Sequence, residues 1–339
     1  MIKRIVVKAM VIVMWISLVS SEVYACPTIT GVPTSFRNHL VYEPVNYNGN
    51  IVIKPLENQR ITGWSIDWGD GSKVTTGTGL VVDVTKKDGY SKVGDYTITI
   101  TIKWEYYDKK AKVWKPGDPN AVIGNRSTSI KIEAELKAIT AEKLKAGVKE
   151  KVKLEVQTLG YDEKTGGADK PVKGIVINFA ITSDPSSKAT LSKTSDITKG
   201  NGKASTEITL GDKAGDYKVR ASGEYLRGSP IDFTINAGFG TFAGTVYEVK
   251  DKKRIGVLEH VVISGESIKP RGYAVPLTQT NFEGEYTVEV IPATYNLFAY
   301  LTGYSKGIME NVSVSAFATT TVDFELHILR PYPKGQRDL

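Results

Sequence analysis

Few residues in this chain are of the types that carry catalysis. The three histidines, His39, His260 and His327, fall in three separate sequence contexts. No His-Glu-x-x-His or Gly-x-Ser-x-Gly run accompanies them and no cluster has the spacing of metal ligands, so neither an activated nucleophile nor a metal-bound water has sequence support. Asp67 and Asp70 could offer oxygens to calcium, but such a cage takes about six to eight ligands, and the stretch lacks a dense Asp-x-Asp series. They read instead as turn formers. Gly200-Asn201-Gly202-Lys203 fails as a phosphate loop, because Ala204 stands where Ser or Thr would bind magnesium and Ile197 where the first glycine belongs. Asn201-Gly202 is read as a turn. The expectation is a non-enzyme with no catalytic residue, metal or cofactor.

Two other chemistries remain. Trp104 and Tyr106 share one face of a strand and Trp114 returns opposite them, a strip that would stack on sugar rings or pack on a protein partner. The same rings could fill a sandwich edge, which is the reading that the usual burial of large aromatics favours. Cys26 is the only cysteine, so no disulfide can form within one chain. It follows directly on an expected export signal at residues 1–25, with Lys3, Arg4 and Lys8 leading, an apolar run at 9–19, and Val23-Tyr24-Ala25 as the cleavage site. That is where a bacterial lipoprotein carries its acylated cysteine. Against lipidation, Tyr24 is bulky where a small residue belongs, and Ser20-Ser21-Glu22 separates the apolar run from the site. Lipid attachment at Cys26 and plain secretion both stay open.

The apolar run is shorter than the roughly 20 residues of a membrane span, so membrane association is expected only through Cys26. Loss of the signal, with Lys3, Arg4, Lys8 and Glu22, lowers the formal net charge from +7 to +5. A basic balance suits acidic envelope polysaccharide or lipid head groups, although lysines scattered over strands are commonly solvated faces. The densest run, Lys137, Lys143, Lys145, Lys149, Lys151 and Lys153, has no interleaved aromatics. No nucleic-acid partner is expected.

The elements that must position these residues are strands. Gly94-Asp95-Tyr96 opens an alternating run, and the pattern returns as Gly215-Asp216-Tyr217 and Gly284-Glu285-Tyr286. Glycine permits the turn, alternation buries one strand face, and a tyrosine entering a sandwich strand can bury its ring while its hydroxyl bonds nearby backbone. With 32 glycines and strands rich in Val, Ile and Thr, the chain reads as all-β. Three tandem antiparallel β-sandwich domains are expected at 26–134, 135–238 and 239–329, with an extended proline-rich tail at 330–339. The helix-friendly stretch at 134–147 is read as linker plus first strand.

Three resemblances sharpen this. Trp68-Gly69-Asp70-Gly71, followed by Gly94-Asp95-Tyr96, resembles the polycystic-kidney-disease type of Ig-like domain; the segment from Trp104 to Asn120 departs from it as an extended hairpin. Pro171 to Phe179, Ala189-Thr190-Leu191-Ser192, Thr198 to Ala204 and Gly215-Asp216-Tyr217 resemble, in that order, the bacterial Ig-like repeat of invasin and intimin. That resemblance implies a rigid surface spacer. Gly244-Thr245-Val246-Tyr247, Gly284-Glu285-Tyr286 and Ala293-Thr294-Tyr295 resemble a carboxypeptidase regulatory-like domain, a transthyretin-like sandwich that implies no peptidase activity. Trp68, Asp70, Gly71, Tyr96, Tyr217, Tyr286 and Tyr295 are thus expected to be structural. The functional expectation is an exported, non-enzymatic envelope or cell-surface scaffold for adhesion or assembly. Its partner would be a protein, a polysaccharide or further copies in a fibre. The alternatives are a glycan-binding module and a structural subunit of a surface fibre or secretion assembly.

Overall fold

The computed structural model describes residues 25–329. The expected export signal at 1–25, apart from Ala25, and the expected tail at 330–339 lie outside the described residues. Every regular element among those described is a strand, and no helix there is long and apolar enough to cross a membrane. The fold is all-β. It divides into two compact units: one takes the chain up to Phe36, then Val45–Lys86 and Tyr96–Ile130, and the other takes Arg37–Pro44, Lys87–Asp95 and everything from Lys131. Three segments of the stretch expected as the first domain, 37–44, 87–95 and 131–134, therefore fall in the second unit.

In the first unit, one sheet pairs Thr28–Thr30, Val45–Lys54 and Val81–Lys86. The other pairs Thr75–Gly77 with Gln59–Asp67, that strand with Gly94–Asp108, and the last with Val113–Pro116. Alternation makes the core: Ile51, Ile53, Val82 and Val84 are buried on the first sheet, and Trp64, Ile66, Ile98, Ile100, Ile102 and Trp104 on the second. After Trp68 the chain turns back through a long loop into a hairpin, Trp64 facing Gly77 and Ile66 facing Thr75. Positive φ falls on Gly69 and Gly71, at 73° and 72°, and not on Asp70. The turn is therefore not a two-residue Asp-Gly turn, and Asp67 and Asp70 shape it through their side chains.

The second unit holds two pairs of sheets. In the first pair, Lys143–Gly147, Ile231–Gly238, Gly215–Ser222, Val176–Ser183 and Ser195–Ile197 form one layer. Lys151–Asp162, Lys203–Thr209, Thr190–Leu191 and Gly167–Pro171 form the other, which also takes residues 135–138 of Ser127–Ala138. The helix-friendly stretch is thus strand at both ends. In the second pair, Gly240–Lys250 pairs with Glu285–Val290 and Lys253–Val257, while Val262–Lys269 lies between Arg271–Gln279 and Ala293–Tyr300, with Gly307–Val314 at the edge. Most ladders are antiparallel. The exceptions include an early strand of each sandwich zipped in parallel to a late one, Lys143–Gly147 to residues 234–238 and Gly240–Lys250 to Thr319–Thr321 and Phe324–Leu326.

The two sandwiches of this unit are joined by one residue, Phe239, between Ile231–Gly238 and Gly240–Lys250. Around it, Phe317 N donates to Phe239 O at 2.7 Å. The Phe317 ring covers Gly238, and Pro292 packs on Gly147. Lys149 and Lys145 set their ammonium groups 5.2 and 5.3 Å from the Tyr273 and Phe317 ring centroids.

Candidate functional site

Strand entry needs the three repeated glycines, since Gly94, Gly215 and Gly284 sit at φ 146°, 136° and 74°, where a side chain would strain the backbone. The tyrosines that follow behave differently. Tyr217 is fully buried and its hydroxyl donates to Lys213 O, four residues upstream, at 2.8 Å. In the last sandwich Tyr295 makes that i−4 bond, to Ile291 O at 2.6 Å, while Tyr286 reaches across to Val322 O at 2.7 Å. Tyr96 is only half-buried. Burial pushes the Tyr295 phenol up to about 12 and raises Tyr286 further. These are packing groups with neutral hydroxyls, not acids or bases.

Trp68 is buried, with Nε1 donating to Thr75 Oγ1 at 2.9 Å. Asp70 accepts from Ser72 N at 3.0 Å and pairs with Lys86 Nζ at 3.1 Å. Burial, the largest single influence on this carboxyl, would raise it, but the hydrogen bonds from Ser72 and Lys86 outweigh that and hold it below the ordinary value. Asp67 accepts from Gly69 N at 2.9 Å. Both carboxylates are spent on the turn, and no group of three or more metal-ligating side chains occurs among the described residues.

His39 is buried against Arg37 O at 2.8 Å, and desolvation lowers its pKa. His260 and His327 are exposed elsewhere, their backbone amides held by Thr280 O and Ser305 Oγ. The structure does not bring the histidines together. The lysine run is largely engaged. Lys137, Lys151 and Lys153 pair with Glu135, Glu207 and Glu155, and Lys145 and Lys149 cover aromatic rings.

The aromatic strip needs correction. Trp104 is 4% exposed, its Nε1 donates to Asp118 O at 3.0 Å, and Gly117 lies on its indole; a buried ring cannot stack on a sugar. Tyr106 is half-buried beside it, with ring centroids 6.2 Å apart. The hairpin register pairs Trp114 with Tyr107 and Tyr106 with Lys115, so Trp114 lies on the face away from Trp104. There it is 38% exposed, 5.4 Å from the Tyr107 ring, with the Arg60 guanidinium 4.4 Å above it. Arg60 is held in turn by Glu105, Nε to Oε2 at 2.6 Å. Tyr107 and Arg60 were not singled out from sequence; the alternation that puts Trp104 and Tyr106 on one face puts Tyr107 on the other.

Next to this face, a cleft of about 320 Å³ opens between two turns, lined by Leu56, Asn58, Gln59, Tyr107, Lys109 and Lys110, with Ala25 and Tyr106 also at its wall. Asp108, at the end of its strand, accepts from Lys110 N at 2.9 Å, Ala111 N at 3.0 Å and Lys115 Nζ at 2.5 Å. The Lys115 bond above all, then the backbone amides, hold its carboxyl down at about 2. Cys26 is half-buried one residue after Ala25. The arrangement sets the exposed Lys109 and Lys110 beside the half-buried Tyr107 ring.

No protein-family model matches the chain, and no curated protein matches it. Among solved structures it is similar to the Yersinia pseudotuberculosis adhesin InvE, at 12% identity and a TM-score of 0.35, over 62% of this chain and 58% of that one. The chain thus spans less than two thirds of that structure. The D0-D1 domain of intimin is matched at 17% identity and a TM-score of 0.22, over 57% of this chain and 98% of that one. A three-Ig stretch of titin is matched at 13% identity and a TM-score of 0.29, over 91% and 99%. Likeness this distant assigns no family and no role, and the all-β class rests on the strands themselves.

Proposed function

We propose that this is an exported, non-enzymatic scaffold of the cell envelope or cell surface, built as three sandwiches at 26–134, 135–238 and 239–329, that spaces or joins binding surfaces. The observation that carries the reading is the joint in the second unit. A one-residue connection flanked by Phe317 on Gly238 and Pro292 on Gly147 leaves little room for the relative motion that two linked domains otherwise have. A stiff joint is what a spacer needs and an enzyme does not. The polar residues singled out from sequence are spent on turns and strand ends. The N-terminal signal reading supports export, and the resemblance to invasin and intimin repeats supports a surface role.

The test is a distance distribution between spin labels at Lys199 and Glu310, on the two sandwiches of the second unit. One narrow peak is expected, unchanged by ligand-free variation of salt. A broad distribution would remove the spacer reading. The glycan-binding alternative loses Trp104 and retains only the Tyr107–Trp114 face, where Arg60 already covers the indole.

A further inference from the structure

We infer that the paired turns at 56–59 and 109–112 of the first unit form a surface that seats on an anionic lipid headgroup layer. Three observations converge there. First, the tip of the hairpin between Gly94–Asp108 and Val113–Pro116 carries Lys109, Lys110 and Lys112, all exposed. Its one acid, Asp108, is turned inward onto two backbone amides and Lys115. No acid pairs with Lys109 or Lys112 among the described residues. Glu57 is the acid at the cleft rim, and Glu105 is held by Arg60. The balance of the tip is positive.

Second, the cations are interleaved with exposed apolar groups: Leu56 at 44%, Val113 at 47% and Trp114 at 38%, with Tyr107 against the indole. Lysines that can extend to water around a tryptophan and aliphatic tips are the composition of a membrane-surface element, where rings sit at headgroup depth and cations meet phosphates.

Third, the residue to which a lipid would be attached lies beside this same cleft: Cys26 is half-buried one residue after Ala25. Ala25 forms part of its wall, and Gln59 Nε2 donates to Ala25 O. Cleavage before Cys26 removes Ala25 and leaves Cys26 as the first residue beside these turns, so a lipid attached to it would leave from there. A lipid on Cys26 would bring these turns to the headgroup layer, where their exposed lysines meet anionic phosphates. That placement selects lipid over polysaccharide as the occupant. The inference rests on the export reading for its setting, but the surface itself is read from the turns.

The test is flotation of the exported chain carrying Cys26→Ser, so that no acyl group contributes, with vesicles of phosphatidylcholine alone or mixed with phosphatidylglycerol. Binding is expected only to the mixed vesicles, and to weaken with salt. Lys109→Gln/Lys112→Gln is expected to lower it about 25-fold at low salt, at about five-fold per lysine. Lys199→Gln/Lys213→Gln, which removes the same charge elsewhere, is expected to leave it unchanged. Absence of binding, equal loss in both double variants, or retention of the chain on an acidic polysaccharide but not on vesicles would each overturn the proposal. An unmodified Cys26 in chain recovered from the cytosol would instead remove the export reading, and the vesicle result would still stand or fall by itself.

Discussion

Gly117 lies against the indole of Trp104 so closely that a Cβ placed there would sit 2.2 Å from Cε2. The ring is nearly fully buried and tied through Nε1 to Asp118 O, so it cannot swing away without breaking that bond and emptying its site. Gly117→Ala is expected to destabilise the first unit by about 1–3 kcal/mol, the range of overpacking. Trp104→Ala is expected to cost about 3–5 kcal/mol through the cavity it leaves. Denaturant melts of the two variants check both figures. A Trp104→Ala chain that melts like wild type would return the ring to the surface.

Parity made part of this legible in the sequence. Ile98, Ile100, Ile102 and Trp104 share one strand face and are all buried, so the alternation that marked the strand also carried Trp104 into the core. Where Trp114 returns depends on the length of the turn after Asp108, which alternation alone does not set; the register puts it beside Tyr107. The glycine-tyrosine repeat announced strand entries, yet which tyrosine bonds four residues back, Tyr217 or Tyr295 but not Tyr286, depends on the corner preceding each. Least legible was the placement of Arg37–Pro44 and Lys87–Asp95 in the second unit. Such contacts are made by residues far apart in the chain, for example Val41 N to Glu133 O at 2.9 Å and Tyr161 N to Val41 O at 2.8 Å, and no local pattern encodes them.

The Asp108 carboxyl gives a pH signature. Its pKa of about 2 lies below the ordinary 3.8, so the ionised form is favoured on folding, and the stability this lends is complete above about pH 4 and lost as pH falls toward 2. Carbon-detected titration should place the group near 2 in wild type. In Lys115→Met, which removes the strongest hydrogen bond, it should move up toward 3.8 while the backbone amides of Lys110 and Ala111 keep it somewhat low. An unshifted titration in that variant would mean the turn amides alone set the value.

The two i−4 tyrosines should respond alike to loss of their hydroxyls. Tyr217→Phe and Tyr295→Phe each remove a part-buried hydrogen bond to a backbone carbonyl, a loss of about 0.5–1.5 kcal/mol. Tyr295 adds an alkaline limb. Its folded pKa of about 12 is raised above the ordinary 10, so its contribution is complete below about pH 10 and declines as pH rises toward 12. Melting the wild type and Tyr295→Phe across that interval should show the wild type losing stability faster.

At the joint of the second unit, a Cβ on Gly238 would meet Phe317 Cε1 at 2.3 Å. Phe317 is half-exposed, so its ring can rotate outward, and it then gives up both its cover over Gly238 and its contact with the Lys145 ammonium. Gly238→Ala should therefore cost only about 1 kcal/mol, but it should broaden the distance distribution between labels at Lys199 and Glu310. If the ring is what Gly238 accommodates, the substitution should cost almost nothing in a Phe317→Ala background. The double-mutant cycle should then show a coupling of about 0.5–1 kcal/mol, the size expected of residues in contact. Additive costs would mean that Gly238 is required by the backbone of its strand, and stiffness would then have to come from the single-residue connection and Pro292 on Gly147.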